Sequence, residues 1–424
     1  MRVMWICASF SPLAMRALGI GDSGFGSGNW VDDEATRLVS SDAVNRLFII
    51  SSTGGPSCNS RKGKIEYVNL EAEIDCRSDA RFQSSKRSID EAIGRYSPDL
   101  VQVWGTESPF STAALEAARE AGIRTVLCPQ GIVASLVHFP NGGVSAFQMC
   151  GRNPLNWLKM PLFNATKRTY RRNQRFERRS IELADYILSD NEWTFDYCSS
   201  INPDFIQLHY PLPVNRAFVE SRWKPDSCVP HSILSVSPRS SYKGQHVLVK
   251  AVARLKRLYP DVKVFFPAMK DKVIGGIVGA IRRTPYIDMI KRLIAEYDLE
   301  DAVVFLDSLS PGELAQAMQS CSLFINPSVI ESNCMSLREA MWMGMPVISS
   351  FAGSIQEYLQ NDVDGVLYRY EEDEILAREI AKLFDDPYRC VQLGNHARMR
   401  MERFYSDENA ELSEVYTSVL MDRC

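Results

Sequence analysis

The stretch from Ser322 to Tyr368 constrains the fold more than any other part of this chain: SLFINPSVIESNCMSLREAMWMGMPVISSFAGSIQEYLQNDVDGVLY. Leu323-Phe324-Ile325 reads as a buried strand ending at Asn326-Pro327. A loop follows, and Met335 to Met343 carries helix-forming residues that Gly344 and Pro346 bring to a stop. Val347-Ile348 opens a second buried strand. Strand, loop, helix and strand make a βαβ unit. Its loop lies at the C-terminal end of a strand, where α/β sheets bind ligands.

Two carboxylates bracket that loop, Glu331 before the helix and Glu339 one turn inside it. Helical side chains lean toward the N-terminus, so Glu339 is expected to point back at the loop carrying Glu331. The free N–H groups around Cys334, Met335 and Ser336 offer partial positive charge, suited to a phosphate. A carboxylate accepts two hydrogen bonds at once, which suits neighbouring hydroxyls of a sugar or ribose. Phosphate in the middle with hydroxyls on both sides describes a nucleotide sugar.

The spacing Glu-x7-Glu from Glu331 to Glu339, behind Asn-Pro-Ser and followed by Ala-Met-x-x-Gly-x-Pro-Val, resembles the retaining glycosyltransferases of the GT-B fold, family 4 ("group 1"). In that family the first glutamate contacts the donor sugar and the second binds the nucleotide ribose. The resemblance therefore makes Glu331 the catalytic candidate and Glu339 a donor-binding residue, with Asn333, Met335, Ser336 and Leu337 as further donor contacts. Many members carry glycine where Cys334 stands, so the bulkier side chain is expected to crowd the backbone's approach to a diphosphate.

At 424 residues the chain has room for two domains with full cores. A net charge of −4 argues against a general nucleic-acid binder. Eleven scattered cysteines without a CxxC pair read as reduced, mostly buried thiols of a cytosolic protein, with no disulfide framework or zinc site. The opening MRVMWICASF reads as a first strand rather than a signal peptide, and no stretch has the length of a transmembrane helix.

In the first half, strands are expected at Arg2 to Cys7, Leu47 to Ile50, Tyr67 to Leu70, Leu100 to Trp104, Thr125 to Cys128 and Asp185 to Leu188. Helices alternate with them, which predicts a parallel sheet covered on both faces. Between the first strand and its helix lies a glycine-rich loop whose spacing is not that of a dinucleotide fingerprint. In the family a glycine pair here lets the loop approach the donor phosphate, a role that falls on Gly26 and Gly28. Where many members have a histidine, this chain has Gln130, which can hydrogen-bond a sugar hydroxyl but cannot titrate. His138 is a second donor or acceptor contact, and Glu107 reads as a solvated loop acid sooner than as an acceptor-site residue. Residues 152–179 interleave Trp157, Leu162 and Phe163 with eight lysines and arginines beyond Arg152. That segment suits either the surface of an anionic bilayer or a solvated helix.

In the second half, Ser237-Pro-Arg-Ser-Ser-Tyr-Lys-Gly244 resembles the family's Gly-Arg-Leu…Lys-Gly motif, whose two cations hold the donor diphosphate. Those roles fall on Arg239 and Lys243, although the two stand one residue closer than in the commonest version. Two cations can neutralise a departing diphosphate without a metal. Ser354-x-x-Glu357 reads as a capping box.

The resemblance implies an α/β GT-B enzyme: two Rossmann-like domains facing each other across a cleft, and a C-terminal helix crossing back to the first. Domains are expected at 1–224 and 231–404, with 405–424 as the returning helix. The implied reaction moves a sugar from a UDP- or GDP-sugar to a glycan or lipid-linked hydroxyl acceptor, with no cofactor and no essential metal. The expected location is the cytoplasm, peripherally on the membrane face. A nucleotide-sugar 2-epimerase and a degenerate, non-catalytic GT-B binding protein are the alternatives.

Overall fold

A computed structural model describes residues 1–20, 29–236, 240–273, 279, 283–407 and 411–422. The chain forms two compact units: Met1–Ala134 with Tyr170–Pro213 and Glu408–Cys424, and Ser135–Thr169 with Val214–Asp407. Neither is continuous in sequence.

The first unit holds β1 (Arg2–Cys7), β2 (Arg46–Ser51), β3 (Cys58–Lys62), β4 (Ile65–Asn69), β5 (Leu100–Trp104), β6 (Arg124–Cys128), β7 (Tyr186–Ser189) and β8 (Ile206–His209). They lie in the order β3-β4-β2-β1-β5-β6-β7-β8. All neighbours are parallel except β3 and β4, a hairpin turning at Gly63. β1 and β5 are buried almost throughout, as unbroken apolar runs at the centre of a two-faced sheet must be. Hairpin strand β3 and strand β8 were not legible as strands, because their exposed, polar sequences lack an apolar run.

The C-terminal helix Leu412–Met421 belongs to this unit and is anchored through Tyr416. The Trp5 indole N–H donates to the Tyr416 hydroxyl at 2.8 Å, and that hydroxyl donates to Gln102.

The second unit holds β9 (Val229–Leu234), β10 (Lys263–Phe266), β11 (Val303–Phe305), β12 (Cys321–Asn326), β13 (Val347–Ser350) and β14 (Val366–Tyr368). They form an all-parallel sheet in the order β11-β10-β9-β12-β13-β14. Its core takes in residues far from the sheet in sequence. Val144 and Met149 from the segment 135–169 are buried there, with Phe218 and Trp223. Burial of those apolar side chains explains why this segment groups with the second unit and why the boundary falls at Pro213/Val214, before the turn-rich stretch at 224–230.

The basic segment lies largely within one helix, Pro154–Leu183, with Pro161 inside it. Among the described residues, no helix is long and apolar enough to cross a membrane.

Candidate active site

In the second sheet the chain builds outward from β9 through β10 to β11, then returns to β12 on the other side of β9. The connections leaving the C-terminal ends of β9 and β12 therefore diverge, which opens a crevice suited to a ligand. The described parts of these connections are 235–236 with 240–244, and 327–334.

They pack backbone to backbone. The Val329 N–H donates to the Tyr242 carbonyl at 2.8 Å. Gly244 (φ 71°) lies so close to the second loop that a Cβ there would sit 1.8 Å from the Pro327 carbonyl oxygen. On the other flank, a Cβ on Gly353 (φ 56°) would sit 1.9 Å from the Glu331 carbonyl oxygen. The Ser354 N–H donates to that same oxygen at 3.2 Å, and the Ser354 hydroxyl donates to Ser332 O. Ser354 thus ties the loop down instead of closing the expected capping box, and makes no side-chain cap for its helix. Beneath the loop, Asn326 donates to Ser349 Oγ at 3.1 Å and Ser328 donates back to Asn326 at 2.8 Å.

This scaffold brings Lys243 and Glu331 together, with Lys243 Nζ 2.7 Å from Glu331 Oε1. Glu331 is 8% exposed. Burial by itself lowers the Lys243 pKa, but the adjacent carboxylate outweighs it and holds the ammonium above its ordinary value. Lys243 also faces the Tyr242 ring at 5.6 Å.

The helix Met335–Met343 begins directly after the loop. Its first two N–H groups, on Met335 and Ser336, have no acceptor within the helix. Leu337 is different: its N–H already donates to Cys334 O at 3.0 Å and its side chain is fully buried. Cys334 takes the left-handed backbone (φ 33°) that glycine adopts freely. Its side chain joins the second unit's core, and burial pushes the thiol well up.

Glu339, partly accessible on this helix, has no hydrogen-bond or ion-pair partner among the described residues. Burial pushes its carboxyl up to about 8, against the opposing pull of the Arg338 guanidinium. Arg338 itself is enclosed by Tyr358, Phe404 and Tyr405, its guanidinium carbon 4.8–5.1 Å from their ring centres.

Arg239, Gly26 and Gly28 lie outside the described residues. Asn333 and Ser336 are partly exposed in the loop and first turn. Gln130 and His138 stand in different units: Gln130 follows β6 and its amide donates to Cys128 Sγ at 3.3 Å, while His138 is exposed at the end of the helix Val133–His138. Glu107 is not the solvated acid expected. Its carboxyl folds over Gly105 (φ 93°), where a Cβ would meet it at 2.2 Å, and burial pushes it up to about 7, aided by nearby Glu177.

The sequence reading missed Gly353 and Tyr370. A glycine directly before Ser354-x-x-Glu357 was the available signal for Gly353.

Three comparisons bear on these loops. Residues 229–400 match the family model described as glycosyl transferases group 1. A D-inositol 3-phosphate glycosyltransferase of Stackebrandtia nassauensis is 30% identical over 169 residues, 40% of this chain and 37% of that protein. The chain thus matches well under half the length of that relative. Sucrose-phosphate synthase from Thermosynechococcus elongatus superposes with a TM-score of 0.74 at 16% identity, covering 99% of both chains. HepE of Anabaena, solved in complex with UDP-glucose, gives 0.64 at 15% identity, covering 99% of this chain and 100% of that one. Similarity at these identities establishes the fold, which is GT-B.

Proposed function

We propose that this chain, whose residues 229–400 belong to the glycosyl transferases group 1 family, transfers a sugar from a nucleotide diphosphate donor to a hydroxyl acceptor with retention of configuration. The observation that carries the reading is the Lys243–Glu331 pair at the switch point of a parallel sheet, beside a helix N-terminus and the partly accessible carboxyl of Glu339.

Each group has a use on such a donor. Lys243 and the Met335 and Ser336 N–H groups answer the diphosphate as its charge grows on bond cleavage. Glu331 accepts from sugar hydroxyls, and Glu339 accepts from the ribose diol. The bond between the anomeric carbon and the phosphate oxygen breaks while the acceptor oxygen bonds to the same face of that carbon. The acceptor's proton passes to the departing phosphate oxygen, so no separate base is needed. Non-titrating Gln130 is compatible with that route. Lys243 and the helix terminus take the charge role that a divalent metal fills elsewhere, so turnover is expected to survive EDTA.

A UDP-sugar is the donor we favour, in line with the UDP-glucose in the HepE structure. For the acceptor, a hydroxyl on a glycan, a lipid-linked glycan or a phosphorylated cyclitol fits best, the last in line with the names of the curated relatives. Trp157 (44% exposed) and Leu158 (75% exposed) on the basic helix support docking on an anionic membrane face. Sedimentation with phosphatidylserine vesicles tests that contact, and binding unchanged by replacing the arginines of 168–179 would refute it.

The test of the function is nucleotide release from UDP-, GDP- and ADP-sugars by wild type and Glu331→Ala. One donor hydrolysed by wild type and lost in the variant supports the assignment. No turnover together with no nucleotide binding would overturn it.

A further inference from the structure

The loop that carries Lys243 is backed on its other side by a third strip of backbone from the segment 135–169. Gly142 (φ 58°) lies against it so closely that a Cβ would sit 2.2 Å from Ser241 O and 2.9 Å from Tyr242 N. The Tyr370 hydroxyl donates to Gly142 O at 2.6 Å and stands 3.5 Å from His246 Nε2. The edge of the same tyrosine ring lies 3.2 Å from the point where a Gly244 Cβ would be. Three layers result: 141–144, the Ser241–Gly244 turn and the Pro327–Val329 strip. Two of the interfaces between them, at Gly142 and at Gly244, admit only glycine, and Tyr370 touches both.

From this stacking we infer that Gly142 and Tyr370 are positioning residues for the donor site, setting where Lys243 stands relative to Glu331. The inference rests on the donor-site reading above. Tyr242, whose backbone nitrogen lies against Gly142 and whose carbonyl accepts from Val329, is the element through which a shift is passed on. Moving Ser241 and Tyr242 by the ångström or more that an extra methyl demands would shift the adjacent Lys243 away from its 2.7 Å contact. Displacements of that size at a positioned group cost up to about a hundredfold in rate.

Gly143 supplies an internal control. It also has positive φ (78°), but a Cβ there would meet Glu371 Oε1, the end of an exposed and flexible side chain, at 2.1 Å. Alanine at either position carries the same left-handed backbone penalty. Only at Gly142 must backbone next to Lys243 move.

Calorimetric titration of the full-length chain with UDP, GDP, ADP and their glucose conjugates gives the wild-type dissociation constant. Gly142→Ala is expected to weaken nucleotide binding by at least about tenfold. Gly143→Ala should weaken it by less than about threefold, with a fall in Tm that reflects the left-handed backbone alone. Tyr370→Phe keeps the ring and removes the donor to Gly142, so its loss falls between the two and serves if Gly142→Ala does not fold. Equal affinities for the two glycine variants, or wild-type affinity in Tyr370→Phe where Gly142→Ala is insoluble, would overturn the inference with the donor site intact. A folded wild type that binds none of the nucleotides would overturn the donor-site reading, and this inference with it.

Discussion

With Glu339 in the proposed ribose role, donor binding is expected to depend on pH across the neutral range, where an ordinary surface carboxylate is already fully ionised. Desolvation pushes the Glu339 carboxyl up to about 8. At pH 6 about one copy in a hundred is ionised. Accepting both ribose hydroxyls needs the carboxylate, so below pH 8 binding must expel a proton. That costs about 1.4 kcal/mol per pH unit. The dissociation constant should therefore weaken up to tenfold per unit, approaching about a hundredfold between pH 9 and pH 6. A sugar nucleotide suits the assay, because its diphosphate is esterified at both ends and stays fully ionised over this range.

Calorimetry in buffers of different ionisation enthalpy would count the released proton directly. Glu339→Gln should match wild type at pH 6, bind more weakly at pH 9, and release no proton. Stability carries the same signature in the free chain. The folded pKa lies above the unfolded value, so stability is full below about 4.5 and falls as pH rises toward 8. Glu339→Gln should remove that fall. A dissociation constant that is flat from pH 6 to 9 in wild type would refute the reasoning.

Three further outcomes are expected. In a double-mutant cycle on nucleotide binding, Lys243→Ala and Glu331→Ala should couple by about 1–3 kcal/mol, since the pair is only partly exposed, and strict additivity would count against direct contact at 2.7 Å. Gly353→Ala must push the Glu331 backbone aside in addition to the left-handed penalty of about 1–2 kcal/mol; donor affinity unchanged after that substitution would show that the loop yields elsewhere. Tyr416→Phe leaves the Trp5 indole N–H and the Gln102 amide oxygen unpaired in a fully buried setting, and urea denaturation should show a loss of about 1–3 kcal/mol.

What could be read from sequence was what periodicity and turn chemistry encode. The helix Met335–Met343 and strands Arg2–Cys7 and Leu100–Trp104 fall at the residues expected, because apolar runs bounded by glycine or proline leave little choice. Lys243 and Glu331 were each nameable from their motifs, but their contact spans 88 positions and depends on which strands are neighbours. Ser354 shows the limit more sharply. Its spacing to Glu357 predicts a local cap, yet its hydroxyl is taken by Ser332 in a different loop. Glu107 was misjudged for a similar reason, since only the folded backbone at Gly105 creates the space that its carboxyl fills. Unit membership was equally hidden: Val144 and Met149 lie in a part of the sequence flanked by first-unit strands, and only packing shows whose core they complete.

The discontinuous make-up of the two units bears on how the chain emerges from a ribosome. When residue 224 has been made, β1 to β8 are all present, but the tyrosine that satisfies Trp5 and Gln102 is still about two hundred positions away. The second unit needs residues 135–169, synthesised before the rest of it, whereas the first waits for residues 411–422. The second unit can therefore be complete while the first, whose strands are made earliest, still waits for its helix, which departs from the usual N-terminal-first order of multidomain chains. Until the helix that carries Tyr416 is made, the Trp5 indole N–H and the Gln102 amide oxygen in the oldest sheet lack their partner, and that is the interval in which a chaperone would have most to protect.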